Sequence, residues 1–244
     1  MYKLWNALNK FKDNCEIVDL SHPVAPESPL WTGFEPIRER VVYNFKEHKF
    51  LAKEYTLASQ NSTHIDAPGH FYEPGILLHE LDINDMILPL IVIDKSKEAS
   101  ENPDYTISPE DIIEWEKEYG EIIEGSFVAL RTDWSQRKEN FNNVDEEGVA
   151  HYPGWSIEAC EYLIDKRKVK AIGHETSDTD ASCLTLKTGW LDVETYVLSK
   201  GIYQVELLKD LYKMPATGSI ILVSYPNVID APGFTARCLG IKLK

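Results

Sequence analysis

Three of the seven histidines fall between His64 and His79, most of them inside the run Gln60-Asn61-Ser62-Thr63-His64-Ile65-Asp66-Ala67-Pro68-Gly69-His70-Phe71. Side chains of an extended chain alternate with a period of two, so a strand over residues 60–66 puts Gln60, Ser62, His64 and Asp66 on one face. One imidazole and one carboxylate then converge. Pro68 restricts Ala67 and cannot donate to a ladder, so Asp66-Ala67-Pro68-Gly69 ends the strand in a turn that can bring His70 back beside the pair. Two neutral imidazoles and a carboxylate suit Zn²⁺, Mn²⁺ or Fe²⁺, and ligation without cysteine favours a catalytic over a structural ion. The alternative is a chance His-x-Asp pair whose histidines serve only as hydrogen-bonding groups beside a turn.

The elements that must hold these residues are short and alternate in type. Strand-like runs occur at 16–20, 90–94, 126–132, 169–173, 219–225 and 237–243. Ser108-Pro109-Glu110-Asp111 reads as an N-cap, a first-turn proline and an acidic third position, opening a helix on which Ile112, Trp115 and Tyr119 repeat on one face and which stops at Gly120. A second helix starts at Ser156, turns Ile157, Cys160 and Ile164 inward and ends in the basic run Lys166-Arg167-Lys168. A third covers roughly 192–200, stops at Gly201 and gives way to a strand near 202–208. Strands alternating with helices indicate an α/β domain, and no repeat or linker divides it, so the expectation is a single domain over residues 1–244.

Composition narrows the partners. Twenty-five basic residues against 40 acidic ones give a formal charge of −15, which repels a phosphate backbone or an anionic membrane surface. Ten acidic residues in 96–125 face only Lys97 and Lys117 and read as a solvated helix face with its loops, or as a docking patch for a basic partner. No run approaches the roughly 20 apolar residues that span a bilayer, and residues 1–15 mix charges into their apolar positions. The four cysteines, Cys15, Cys160, Cys183 and Cys238, stand singly with no CxxC. The expectation is a cytoplasmic protein with neither nucleic acid nor membrane as partner.

The run Thr63-His64-Ile65-Asp66-Ala67-Pro68-Gly69-His70-Phe71 resembles the HxGTHxDxPxH signature of the metal-dependent cyclase-like hydrolases, the group that includes bacterial kynurenine formamidase and isatin hydrolase. Asp19-Leu20-Ser21-His22-Pro23 with Trp31 is similar to that family's N-terminal segment. Arg131-Thr132-Asp133-Trp134, Pro153-Gly154-Trp155-Ser156, Ala171-Ile172-Gly173-His174-Glu175-Thr176 and Val205-Glu206-Leu207-Leu208 are similar to its later blocks, in the same order. The resemblance implies a swivelling β/β/α fold with a mixed sheet, a homodimer or homotetramer, and one or two divalent ions, zinc or manganese.

It further implies that His64, Asp66 and His70 are metal ligands, with Asp66 able to bridge two ions and Glu206 completing the set. Two positions depart from the family pattern: Gln60 stands where the signature has its first histidine, and Glu194 where a later histidine is expected. Both can ligate through oxygen, which moves the preference toward a harder ion such as Mn²⁺. Pro74 occupies the place of the family's proton-transfer histidine, leaving Glu73 and His79 as the nearest substitutes. Trp31, Phe71, Tyr72 and Trp155 are the aromatic candidates for a substrate ring, each with core packing as the alternative. His174, at the end of a strand, is either near a ligand or a support of the fold.

The activity implied is hydrolysis of a small-molecule amide, formamide, lactam or lactone by a metal-activated water. A metal-dependent lyase or dehydratase, and a silent small-molecule-binding protein, are the other two classes open to this sequence.

Overall fold

The computed structural model describes residues 2–244. Its strands, in chain order, are β1 (Cys15–Asp19), β2 (Arg38–Tyr43), β3 (Ala52–Thr56), β4 (His64–Asp66), β5 (Ile87–Asp94), β6 (Thr106–Ile107), β7 (Phe127–Arg131), β8 (Gly154–Trp155), β9 (Ala171–His174), β10 (Tyr203–Glu206), β11 (Ser219–Ser224), β12 (Gly233–Thr235) and β13 (Arg237–Leu243). Nine of them form one sheet in the order β1-β13-β11-β5-β7-β9-β10-β4-β12, while β2 pairs only with β3 and β6 only with β8. The central strands β5, β7, β9 and β10 run parallel; the flanking strands are antiparallel. This is the α/β architecture with a mixed sheet that the sequence implied.

Parallel strands buried on both faces need apolar residues at every position, and β7 reads Phe127-Val128-Ala129-Leu130, all fully buried. Alternation then splits them between two cores. Phe127 and Ala129 join Leu90, Val92, Ile221, Val223, Val205 and Ile65 in a core enclosed by the curl of the sheet. Val128 and Leu130 join the other core, with Ile112 and Trp115 of the helix Pro109–Tyr119 and Val193 and Val197 of the helix Asp192–Ser199.

Helices α1 (Lys3–Asn14), α2 (Phe45–His48), α3 (Ser96–Glu101), α4 (Pro109–Tyr119), α5 (Ile157–Glu161, continued by a π turn to Lys166), α6 (Ser182–Thr188) and α7 (Asp192–Ser199) supply the rest. The Ser108 cap holds: its hydroxyl accepts from the Asp111 amide while Asp111 accepts from the Ser108 amide. Trp155 corrects one expectation. It is 0% exposed and packed in the helix-side core beside Ile107, Leu163 and Ile172, so it contributes volume to the fold and cannot meet a substrate. No described helix is long and apolar enough to cross a membrane.

Candidate active site and metal centre

Two short antiparallel strands build the centre. In β4 and β10, Glu206 lies opposite His64 and Gln204 opposite Asp66. Ile65, Tyr203 and Val205 turn into the sheet-enclosed core, so alternation sends His64, Asp66, Gln204 and Glu206 together to the other face. All four are buried. The strand is shorter than expected: Ser62 adopts φ +62° and bends the chain before His64, so Gln60 reaches the site from a turn and not along a strand face.

His70 arrives by the expected route. Pro68 opens a single 3₁₀ turn, Pro68–His70, and the turn packs against α7. The backbone is tightly stacked here, since a Cβ on Gly69 would stand 2.6 Å from Leu77 Cδ2 and 3.0 Å from the Gly75 carbonyl. Glu194 comes from the first turn of α7, which is anchored by Asp180: its two carboxylate oxygens accept from the Val193 and Glu194 amides, each at 3.0 Å. Burial nevertheless pushes the Asp180 carboxyl up to about 6.

The ligand geometry fits a cation. His64 Nδ1 is 2.8 Å from the Ser62 carbonyl, so the ring donates from Nδ1 and presents Nε2 to Asp66 Oδ2 and Glu206 Oε2, both 3.4 Å away. Ligands about 2.1 Å from a tetrahedral centre are about 3.4 Å apart. His174 Nε2 stands 3.4 Å from the other Glu206 oxygen. Asp66 Oδ1 is buried with no hydrogen-bond partner and lies 3.9 Å from His70 Nε2. Among the described residues, two clusters have the size to chelate an ion: His64, Asp66 and Glu206, and Asp66, His70 and Glu194. Asp66 belongs to both.

Electrostatics point the same way. Burial works against a charged His64 ring, but Asp66 and Glu206 outweigh it and hold the ring well above its ordinary value. Burial would raise Asp66 and Glu206, yet the histidines facing them bring both below the usual carboxylate range. Glu194 is pushed far up, by burial first and then by Glu206, Asp66 and Asp178. A crowd of buried carboxylates around two imidazoles demands positive charge at its middle, either protons or a metal ion.

A cavity of about 160 Å³ opens onto this centre. Trp31, Phe34, Phe71 and Leu191 form its apolar wall; Gln60, His64, His70, Ser177, Asp178, Glu194 and Glu206 form the polar one. The Trp31 indole lies over Gly33, where no Cβ would fit, and edge-on to Phe34 at 5.3 Å. Asn142 fastens this wall, donating to the Leu30 carbonyl at 3.0 Å and accepting from the Ser177 hydroxyl at 2.7 Å. A larger groove of about 760 Å³ passes His22, Lys209, Tyr225 and Arg237, but neither chelating cluster reaches it.

Several expected residues fall outside the cavity. Glu73 is exposed, and His79 is an exposed side chain whose Nδ1 accepts from the Asp230 amide at 3.2 Å. Tyr72 is exposed and does not line the wall. Conversely, Asp178, Tyr152, Gln204 and Phe34 carried no signal that singled them out. Asp178 is buried on the cavity wall and accepts a hydrogen bond from the Tyr152 hydroxyl. Burial and then Glu206 push its carboxyl well above the usual range. Gln204 sits among the acids, its amide 2.9 Å from Glu194 Oε1 and 3.2 Å from Glu206 Oε1.

The Cyclase family model, described as "Putative cyclase", matches residues 18–181. The chain belongs to that family. This cyclase-family chain is 30% identical to the isatin hydrolase of Roseibium aggregatum over 243 residues, 93% of this chain and 91% of that protein. A solved isatin hydrolase bound to the product analogue thioisatinate superposes with a TM-score of 0.91 at 27% identity, covering 99% of this chain and 98% of the other. The kynurenine formamidase of Geobacillus thermodenitrificans is 34% identical over 77 residues, 31% of this chain and 37% of its own length.

Proposed function

We propose that this protein is a metal-dependent hydrolase that adds water across the C–N bond of a small aryl or cyclic amide, the substrate class of isatin hydrolase and kynurenine formamidase. The observation that carries the reading is the pairing of two chelating triads with an aromatic wall across one narrow cavity. His64, Asp66, His70, Glu194 and Glu206 would hold a divalent ion, which would supply Lewis acidity toward the carbonyl and a lowered pKa for water. Trp31, Phe34 and Phe71 orient a planar ring and keep bulk water from the reacting bond. The proton-delivering role falls to Asp178, whose carboxyl is raised by burial first and then by Glu206; it would give a proton to the departing nitrogen while the Tyr152 hydroxyl donates to its other oxygen.

Asp66, common to both triads, gives the site room for one ion or for a bridged pair. The oxygen-rich set favours manganese in activity: a metal-stripped protein given Mn²⁺ should turn over at least as well as with Zn²⁺, and activity confined to Zn²⁺ would overturn that preference. Four unpaired cysteines support a reducing, cytoplasmic setting. The test of the reaction class is product mass. Incubation with an aryl lactam such as isatin, or with an N-formyl aryl amine, should give hydrolysis products in which one molecule of water has been added across the amide. Loss of water, or bound but unchanged substrate, would contradict hydrolysis.

A further inference from the structure

The aromatic wall of the cavity does not end at its mouth. Phe71, which lines the cavity, also meets the indole of Trp190, with ring centroids 5.9 Å apart and planes inclined by 60°. That separation lies inside the roughly 4.5–7 Å range of favourable aromatic pairs. Trp190 itself lines no part of the cavity and is 57% exposed.

An exposed side chain ordinarily keeps its rotamer freedom, but this one is fixed. The indole Nε1 donates to Thr195 Oγ1 at 3.0 Å, and that hydroxyl is held in turn by donating to the Leu191 carbonyl at 2.7 Å. The Trp190 amide donates to the Thr188 hydroxyl at 3.3 Å, which donates back to the Trp190 carbonyl at 3.0 Å. Gly189 sets the approach, ending α6 at φ +74°, a conformation that a side chain would strain. Leu191 then returns to the cavity wall, and Thr195 sits on α7, the helix that carries Glu194 and packs against the Pro68–His70 turn. The indole is thus tied to the same helix that positions the site.

We propose that the face of Trp190, beside Phe71, is an outer subsite that binds an uncharged aromatic or alkyl group attached to the substrate ring on the side away from the reacting bond. The proposal rests on reading the cavity as the place of amide hydrolysis. Its chemistry follows from what is left to bind: the indole N–H and both threonine hydroxyls already have partners, which leaves the ring face. Its place follows from size. The cavity, at about 160 Å³, is about half of the roughly 300 Å³ at which pockets for drug-sized ligands begin. A ring whose amide reacts at the polar end fills it, so a longer substituent leaves through the mouth past Phe71 and meets Trp190. Such a contact is the same before and during the reaction, so it lowers KM and does not raise kcat.

Two substrates of one chemistry and different length test this: N-formylaniline and its para-phenyl derivative, followed by steady-state kinetics. The corresponding amines, aniline and para-phenylaniline, report binding without turnover by isothermal titration calorimetry. In the wild type the para-phenyl formamide should have a KM at least about tenfold below that of N-formylaniline, with similar kcat. Trp190→Ala should abolish this difference by raising the KM of the longer substrate, and Trp190→Phe should keep most of it. The dissociation constants of the amines should follow the same pattern. Equal wild-type affinity for the two amines, or a Trp190→Ala variant that weakens short and long ligands alike, would overturn the subsite. If neither formamide is hydrolysed while the Trp190-dependent preference for para-phenylaniline persists, the hydrolase reading fails and the subsite stands.

Discussion

Glu206 lies directly opposite His64 in the β4–β10 register, and its Oε2 stands 3.4 Å from the His64 Nε2. Residues 142 positions apart are thus brought together by two strands of three and four residues. Because Gln204 and Asp66 are the next pair along, a single antiparallel register delivers four polar side chains to one face. The chemistry depends on that register, since a slip of one residue would exchange the quartet for Ile65 and Val205.

Asp66 is the member both triads share. Asp66→Ala should remove nearly all bound divalent ion, measured by elemental analysis of the folded protein. Glu194→Gln touches only one triad and should leave the ion held by His64, Asp66 and Glu206. Full metal content in Asp66→Ala would contradict the shared role.

Gly233 in β12 closes the centre from behind. A Cβ there would run into the Ile65 carbonyl, stand 2.7 Å from Asp66 Oδ1 and 3.1 Å from Gln60 Nε2. Gly233→Ala should therefore displace Asp66 and weaken metal affinity by at least about tenfold while leaving the far-ultraviolet spectrum native. Titration with Mn²⁺ checks it; unaltered affinity would show that Asp66 has freedom to move.

That His64, Asp66 and His70 come together was legible because a strand, a proline turn and a long family-like motif all act locally in sequence, whereas Glu206, 142 positions from His64, was reached only through the resemblance of a later block. Gln60 lines the cavity where the family-like signature placed it, but the left-handed Ser62 breaks the strand that was also to carry it there. Asp178 was not legible. It shares the stretch Glu175-Thr176-Ser177-Asp178-Thr179-Asp180 with two other acids, and only tertiary packing makes one a helix anchor and another a cavity wall. Trp155 misled because the same motif block that resembles the family also supplies a core residue. The β2–β3 hairpin went unread because its apolar residues follow no burial period: nothing in the single chain covers either face.

Asp178 and Tyr152 should behave as one unit. Asp178→Asn removes the proton donor and should lower kcat by about 10² with KM changed little. Tyr152→Phe leaves the carboxyl in place and should cost about tenfold, with a displaced pH profile, since the hydroxyl bonded to Asp178 is gone. Steady-state kinetics over pH 5–9 separates the two effects. An unchanged kcat in Asp178→Asn would remove it from proton transfer.

Glu175 sets a pH dependence on the fold itself. It is fully buried, accepting from the Thr132 amide at 2.9 Å and the Ser135 hydroxyl at 2.6 Å, and burial pushes its carboxyl from 4.5 up to about 7. The folded state thus holds its proton more tightly than the unfolded state. Its contribution is fully present below pH 4.5, falls as pH rises, and is lost above pH 7, a change of about 3 kcal/mol. Urea unfolding across this window should show Glu175→Gln with a flatter pH dependence than wild type. Parallel curves would contradict a buried neutral carboxyl.

Anomalous diffraction from crystals of the Mn²⁺-loaded protein tests the central claim most directly. The account predicts a manganese peak bounded by His64, Asp66 and Glu206, with any second peak between Asp66, His70 and Glu194. A map with no peak at Asp66, from protein that hydrolyses its amide substrate in the same manganese solution, would contradict it.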